Sequence, residues 1–267
     1  MKLGVIGCGK MGTALVAGAV RAKAIEAADV IAHDPLPDAL DAFQRATGTR
    51  ATAPLAELVA ASDRLLLCVR PQDVAEVLAA VGPAASGPVS LISVAAGITT
   101  AALERGLPLA SRVIRCMPNT PALVDKGAAA FCAGRHADDA DLAFAKRLLG
   151  SVGMALEVPE ELMDTVTGLS GSGPAFVFLM IEALADGGVN CGLTRAQALK
   201  LSAQTVMGAA AMVLETGDHP AVLRDRVASP GGTTIAGLAE LERRGLRAAL
   251  IYAVQVAARR SAELGGA

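Results

Sequence analysis

The apolar residues of this chain follow two grammars, and the change comes at Pro159. Before it, seven short and largely apolar runs recur, Leu3–Ile6, Val30–Ala32, Leu65–Val69, Ser90–Ala95, Val113–Cys116, Ala128–Phe131 and Ala155–Val158, with helix-length segments between them. Continuous rather than alternating hydrophobicity marks strands buried on both faces. Strands alternating with helices build an open parallel sheet covered on both sides. After Pro159 no such run recurs, and the chain reads as helices over Glu160–Thr167, Pro174–Val189, Thr194–Glu215, Ala221–Val227, Thr233–Arg244 and Leu246–Leu264. The expectation is an α/β chain with a doubly wound parallel sheet over residues 1–158 and an all-helical domain over residues 159–267.

Composition excludes several roles. Twenty-four Lys and Arg against 26 Asp and Glu leave a net charge of −2 and a pI near 6.0, with no basic block and few rings for base stacking, so a nucleic-acid ligand is not expected. The chain is 53% hydrophobic yet has no Trp, one Tyr and five Phe; its core must pack by close approach of small side chains. The uncharged stretches Ala175–Ile181 and Ala248–Ala257 are at most about half the roughly 20 residues of a bilayer span. They read as buried helices, and no membrane partner is expected. A first strand starting near Lys2 leaves no room for a signal peptide before it. Five cysteines, Cys8, Cys68, Cys116, Cys132 and Cys191, are scattered without a CxxC, the pattern of free thiols in a reducing cytoplasm rather than of disulfides or a zinc site.

The first turn carries Gly7-Cys8-Gly9-Lys10-Met11-Gly12, a GxGxxG that follows a strand at once and opens a helix over Thr13–Val20. That is the context in which the motif binds a dinucleotide. Gly7 allows the tight turn, Gly9 the approach of a pyrophosphate to N–H groups at the helix start, and Gly12 close packing of helix on strand. Asp34 follows by about 20 residues, where a carboxylate accepts the ribose hydroxyls of an adenosine. The first domain is therefore expected to be Rossmann-type, with Ile6, Gly7, Gly9, Lys10, Met11, Gly12 and Asp34 toward the cofactor. A carboxylate suits a free 2′-OH and repels a 2′-phosphate, with only His33 and Arg70 at hand to offset the repulsion, so NADH is favoured over NADPH. The competing reading makes Asp34 a turn-former before Pro35. The later strand ends read Cys68-Val69-Arg70-Pro71-Gln72, Val94-Ala95-Ala96-Gly97 and Cys116-Met117-Pro118-Asn119-Thr120-Pro121. Their small side chains leave room for a flat nicotinamide ring, and Cys68, Val69, Arg70, Pro71, Ala96 and Asn119 join the cofactor candidates.

In the helical half, Thr194 with Gln197 forms a capping box, and Gly188, Gly192 and Gly217 are read as stops. Ala175–Asn190 has only Glu182 and Asp186 as charged residues, and in Leu199–Leu214 the polar stripe is chiefly Lys200 and Gln204. A helix apolar nearly all round is buried nearly all round, and so small a domain cannot cover two of them, which points to a homodimer through these helices. Two Gly-rich segments remain. Gly168-Leu169-Ser170-Gly171-Ser172-Gly173-Pro174 reads as a flexible but packed hinge loop with Pro near N1 of the next helix. Ser229-Pro230-Gly231-Gly232-Thr233-Thr234 places a Ser in an N-cap-like position and gathers N–H groups and hydroxyls with no acidic residue among them, a nest for a small carboxylate or an ordinary cap. No Ser/His/Asp, Cys/His or metal-ligand spacing emerges, so the chemistry of an enzyme here would come from a cofactor, with no metal.

These motifs, with Ser93–Gly97, Arg115–Pro121, Val166–Phe176 and above all Val227-Ala228-Ser229-Pro230-Gly231-Gly232-Thr233-Thr234-Ile235-Ala236-Gly237-Leu238, resemble the pyrroline-5-carboxylate reductase family over essentially the whole chain. The resemblance implies reduction of 1-pyrroline-5-carboxylate to L-proline, the last step of proline biosynthesis, by hydride transfer from NAD(P)H. It implies a substrate carboxylate on Ser229, Gly231, Gly232, Thr233 and Thr234, with the Thr234 hydroxyl bonded to the ring nitrogen as the catalytic group and Glu160 near the substrate. It also implies a dimer with exchanged helices, on which a larger homo-oligomer such as a decamer would be built. Two positions depart from the family pattern: Leu55, where relatives often carry Asn toward the cofactor ribose, and Arg226, where relatives have Asn near the substrate. The rival enzyme reading is a β-hydroxyacid dehydrogenase, which shares the GxGxMG opening and places a catalytic Lys shortly after a Gly-Ser-Gly-like loop. Here Gly171-Ser172-Gly173 is followed by no Lys before Lys200. A reductase of another cyclic imine and a non-catalytic nicotinamide sensor are the remaining alternatives.

Overall fold

A computed structural model of the chain describes residues 1–51 and 54–265. Eight strands form one sheet: β1 (Leu3–Ile6), β2 (Val30–His33), β3 (Arg50–Ala51), β4 (Arg64–Leu67), β5 (Ser90–Ser93), β6 (Arg112–Met117), β7 (Gly127–Ala133) and β8 (Gly153–Glu157), in spatial order β3-β2-β1-β4-β5-β6-β7-β8. All seven apolar runs are strands. The eighth strand is the two-residue edge β3, too short and too polar to show in the hydrophobic pattern. Helices α1 (Lys10–Arg21), α2 (Pro37–Thr47), α3 (Leu55–Ala61), α4 (Val74–Ala84), α5 (Thr100–Arg105) and α6 (Asp139–Gly150) connect them.

The sheet is parallel from β3 through β6 and then reverses: β7 pairs antiparallel with β6, and β8 runs parallel to β7. Chain length gives the reason. A parallel return needs a crossover of a dozen or more residues, and only the 3₁₀ turn Thr120–Val124 lies between β6 and β7, whereas α6 supplies the crossover from β7 to β8. Strand order changes direction at β1, which lies between β2 and β4; this switch point is where open α/β sheets bind ligands, beyond the carboxyl ends of the strands.

Each strand feeds both faces. Leu66, Ile92 and Ile114 pack with Leu15, Val16 and Phe144 on one side, while their neighbours Leu65, Leu67, Leu91 and Val113 pack with Leu58, Leu78 and Leu103 on the other. Few rings are needed: Phe43, Phe131 and Phe144 are the aromatic side chains wholly buried, and small residues let backbones close in, as at Gly18 of α1 against Val152. At the amino end of the sheet Asp141, almost fully buried, faces Arg64 at 3.0 Å and Arg112 at 2.9 Å and accepts from the Ser90 hydroxyl at 2.9 Å. The same residue closes the Asp138 capping box of α6, and Arg64 lies 4.7 Å over the Phe144 ring.

By contacts the chain divides into two compact units, Met1–Ser172 with the last helix from Gln255 onward, and Gly173–Val254. The helical half comprises α7 (Met163–Val166), α8 (Gly173–Asn190), α9 (Arg195–Thr216), α10 (Pro220–Val227), α11 (Thr233–Arg243) and α12 (Leu246–Gly265). The Thr194–Gln197 capping box opens α9, and Gly217 ends it in the left-handed conformation.

The helical half departs from the sequence expectations at several points. The segment read as a hinge loop is helical: Thr167–Gly171 form a π turn, closed by Ser172 N–H to Thr167 O at 2.8 Å, and the hydroxyls of Thr167 and Ser170 donate back to the carbonyls of Met163 and Val166. Its glycines serve packing, since a Cβ on Gly171 would lie 2.5 Å from Cε of Met117. Gly188 likewise lies inside α8 rather than at its end, where a Cβ would be 3.1 Å from that of Ala198 on α9. Helix therefore runs from Glu160 to Asn190, 31 residues, long and apolar enough by length and composition to cross a membrane, with 11% of its most apolar window buried within the chain. Ala175–Ile181 is thus part of a longer apolar helix, and neither it nor Ala248–Ala257 is buried by its own chain: Phe178, Leu179 and Leu184 of α8 are exposed, as are Leu201, Met207 and Leu214 of α9 and Ile251, Tyr252 and Val256 of α12.

Candidate active site

At the carboxyl end of β1 the three motif glycines have separable jobs. Gly7 has φ +98°, and a Cβ there would sit 2.7 Å from the Cys68 carbonyl oxygen. A Cβ on Gly12 would sit 2.5 Å from the Gly7 carbonyl oxygen. A Cβ on Gly9, the N-cap of α1, would meet nothing within 4 Å, and no side chain caps the helix. The first N–H groups of α1 thus open onto a space that protein does not fill, the cradle a pyrophosphate requires.

Ile6, Gly7, Gly9, Asp34, Cys68, Val69 and Arg70 line a single pocket of about 540 Å³, together with His33 and Leu55. Of the remaining cofactor candidates, Lys10 is exposed at the start of α1 beside it, Met11 packs against the core, and Pro71 opens the short 3₁₀ turn after Arg70. Asp34 lines the pocket and is also the turn-former of the competing reading. One carboxylate oxygen accepts the Cys8 N–H at 2.7 Å, which fixes the group against the glycine turn, and the other accepts the Leu36 N–H at 2.9 Å in an Asx turn. Arg70 is paired with Asp73 at 2.9 Å, and His33 Nδ1 has no hydrogen-bond partner among the described residues. Leu55, one of the two departures, gives this pocket an apolar wall.

Ala96 and Asn119 lie after β5 and β6 and are not among the residues lining that pocket. The Asn119 amide is committed to structure: its oxygen accepts the Ala128 N–H at 2.9 Å and its nitrogen donates to Ser170 O at 3.0 Å. Glu160 is also engaged, accepting the N–H and hydroxyl of Thr100 at 2.7 and 2.5 Å and lying 3.4 Å from Arg115. Arg115, with Asp164 and Ser261 beside it, enters the sequence reading only as the first residue of the Arg115–Pro121 motif, with no role of its own. Its carboxylate partners Glu160 and Asp164 stand 45 and 49 residues away, and no local spacing announces such a cluster.

Four thiols lie along the sheet, and burial keeps them protonated. Desolvation, reinforced by the Asp34 charge, pushes Cys8 up to about 12 from an ordinary 9.0. Desolvation, then the Glu160 charge, does the same to Cys132, also to about 12. Cys68 and Cys116 are likewise raised, chiefly by burial. None is a nucleophile at neutral pH.

In the second unit the loop before α11 differs from the sequence reading in one respect. The N-cap is Gly232, not Ser229, and no side chain caps the helix. Ser229 instead turns the chain, its carbonyl accepting the Gly232 N–H at 3.0 Å, because Gly231 at φ +65° bends the backbone back on itself. A Cβ on Gly232 would meet Ser229 Oγ at once. First-turn N–H groups therefore stand without a capping side chain beside Ser229 and Thr233, both exposed, and Thr234, half-buried. Such a set has the donors a small carboxylate requires. Arg226, the other departure, pairs with Asp218 at 2.5 Å on the surface.

Comparison with known proteins decides between the enzyme readings. Residues 160–264 match a family model described as pyrroline-5-carboxylate reductase dimerisation, and residues 2–97 one described as NADP oxidoreductase, coenzyme F420-dependent. A pyrroline-5-carboxylate reductase of Synechocystis sp. is 46% identical over 99% of this chain and 98% of its own. The chain belongs to the pyrroline-5-carboxylate reductase family. Solved pyrroline-5-carboxylate reductases share its fold: one from Coxiella burnetii matches at a TM-score of 0.92 and 35% identity over 98% of both chains. A pyrroline carboxylate reductase from Plasmodium falciparum, solved with NADP bound, matches at 0.89 and 32% over 99% of this chain and 98% of that one. The dimerisation match spans α7 to α12, whose exposed apolar side chains are those expected to face a second copy of a pyrroline-5-carboxylate reductase subunit.

Proposed function

We propose that this chain catalyses the reduction of 1-pyrroline-5-carboxylate by NAD(P)H and a proton to L-proline and NAD(P)⁺. The observation that carries the reading is similarity to pyrroline-5-carboxylate reductases over 99% of the chain, in a chain that holds both a dinucleotide cradle and an uncapped Ser229–Thr234 loop. When bound, the reduced nicotinamide supplies hydride to the C=N carbon. The chain's own residues do the rest. Backbone N–H groups at the start of α1 hold the pyrophosphate, and Asp34 accepts from the ribose. N–H groups of α11 and the hydroxyls of Ser229 and Thr233 hold the substrate carboxylate. Thr234, whose hydroxyl has no protein partner among the described residues, bonds the ring nitrogen. A neutral hydroxyl suits that atom both as imine and as amine, and an imine that arrives protonated needs no strong general acid.

The same reading takes NADH as preferred over NADPH, and the charges of the pocket support it. Three carboxylates, Asp34, Asp73 and Glu76, line it against one guanidinium, Arg70, which Asp73 already engages; a 2′-phosphate adds charge of the same sign as that majority. The second unit makes the working form a homodimer at least, and five free cysteines suit a reducing cytoplasm.

The test is to mix folded protein with 1-pyrroline-5-carboxylate and follow cofactor absorbance. Oxidation of neither cofactor rejects the enzyme, and a higher kcat/KM with NADPH rejects the cofactor preference. In Thr234→Val, kcat should fall roughly a hundredfold with the melting temperature unchanged; undiminished turnover removes Thr234 from the chemistry.

A further inference from the structure

The Arg115 guanidinium is nearly all buried, its side chain 4% exposed, and it lies between two carboxylates: Nη1 is 3.4 Å from Glu160 and Nη2 3.2 Å from Asp164. Each carboxylate reaches onward. Glu160 holds the N–H and hydroxyl of Thr100, the first residue of α5, three positions after the Ala96–Gly97 turn. Asp164 accepts the Ser261 hydroxyl at 2.7 Å, and Ser261 is 5% exposed in the penultimate turn of α12. A second contact clamps the same two segments: Gly97, at φ +77°, packs backbone to backbone on Ser261 and Gly265, where any Cβ on Gly265 would collide with the Gly97 carbonyl. Arg115 itself stands directly before Cys116–Pro121. One buried cation near the end of β6 therefore ties the start of α5, through Glu160, to the end of α12, through Asp164.

We propose that Arg115 and Ser261 are positioning residues for hydride transfer: the last turns of α12 latch the loops after β5 and β6 in the arrangement the nicotinamide end of the cofactor requires. The inference rests on the proposed reductase reading, since it takes the carboxyl ends of β5 and β6 as the nicotinamide's side of the crevice. The adenosine half is held elsewhere, by Gly7–Gly12 and Asp34, and does not depend on the latch. A buried charge cluster rather than apolar packing suits this task, because its geometry is specific and misplacement of a reacting group by about 1 Å costs up to a hundredfold in rate.

The experiment compares wild type with Ser261→Ala and Ser261→Thr in the full-length protein, with ADP as a probe of the adenosine half. Ser261→Ala should lower kcat roughly tenfold, raise amide exchange in residues 94–100 and 116–121, and leave the ADP dissociation constant within twofold of wild type; the Thr variant should restore both kcat and protection. Unchanged kcat and exchange in Ser261→Ala overturn the latch, as does a parallel loss of ADP affinity, which means general loosening. Arg115→Lys, which keeps the charge but loses the two-sided fork, should reproduce the Ser261→Ala pattern; wild-type behaviour in it also overturns the proposal. A wild type that oxidises no cofactor refutes the reductase reading instead, while the exchange and ADP measurements still report on the latch.

Discussion

The three motif glycines look alike in the sequence and differ in what surrounds them, which makes them separable by substitution. A methyl group on Gly9 meets no protein atom, whereas one on Gly12 lands 2.5 Å from the Gly7 carbonyl oxygen. Gly9→Ala should therefore keep its melting temperature and weaken cofactor binding at least tenfold, because the methyl occupies the approach of the pyrophosphate. Gly12→Ala should lose about 1–3 kcal/mol of stability before any ligand is added. Thermal melts and a cofactor titration on both variants read the two effects apart, and equal loss of stability in both would refute the assignment. The glycine roles were legible from the motif because its context, strand before and helix after, fixes the turn. Asp34 was legible as a residue but not as a geometry: only the folded chain places one of its oxygens on the Cys8 N–H and the other on the Leu36 N–H. Arg115 was not legible at all as a functional residue, since burial of a cation between Glu160 and Asp164 follows from tertiary packing alone.

At the scale of elements, runs such as Leu65–Val69 and Ala128–Phe131 announced strands but not their direction, because a strand buried on both faces has the same composition either way. The length of the β6–β7 connection held that information. The Gly-Ser segment 168–173 misled for a different reason. Its residue types favour loops locally, yet the back-bonded hydroxyls of Thr167 and Ser170 and the close approach of Met117 make it a helical turn, so tertiary contact overrides propensity. The amino end of the sheet supplies the matching prediction. Asp141 unites β4, β5, β6 and α6 through Arg64, Ser90, Arg112 and the capping box. Asp141→Ala leaves Arg64, largely buried, without its partner and removes the box; urea unfolding should show a loss of about 3–5 kcal/mol. A loss under 1 kcal/mol would mean that solvent reaches the cluster freely. The ADP affinity of the folded variant should stay at the wild-type value, because the cluster and the glycine turn lie at opposite ends of the sheet.

Two whole-molecule properties follow from how little of this chain's apolar surface is aromatic and how it is shared out. The sheet half buries four thiols among small side chains. Cys8, Cys68, Cys116 and Cys132 all titrate above the ordinary 9.0, Cys8 and Cys132 near 12. Once pH passes 9 the unfolded chain releases thiol protons that the folded chain retains, so the unfolded state is favoured; stability is intact below pH 9 and declines from there toward pH 12. Urea unfolding at pH 7, 9 and 10.5 checks the slope, and iodoacetamide at pH 7.5 should modify no more than one thiol of the native chain, the exposed Cys191. The helical half leaves its apolar surface outside. Phe178 and Leu179 of α8 are 63% and 66% exposed in the single chain, too much ring and aliphatic surface to leave in water, and the match to a dimerisation model covers this region. Sedimentation of the wild type should give a dimer or a larger multiple of the 26.8 kDa chain, without detergent. Leu179→Asp should shift that mass toward the single chain at micromolar concentration, because an unpaired carboxylate is costly to bury in an apolar interface. If the variant keeps the wild-type mass, α8 does not form the contact. If the wild type itself requires detergent to stay dispersed, the 31-residue helical run faces lipid rather than a second copy.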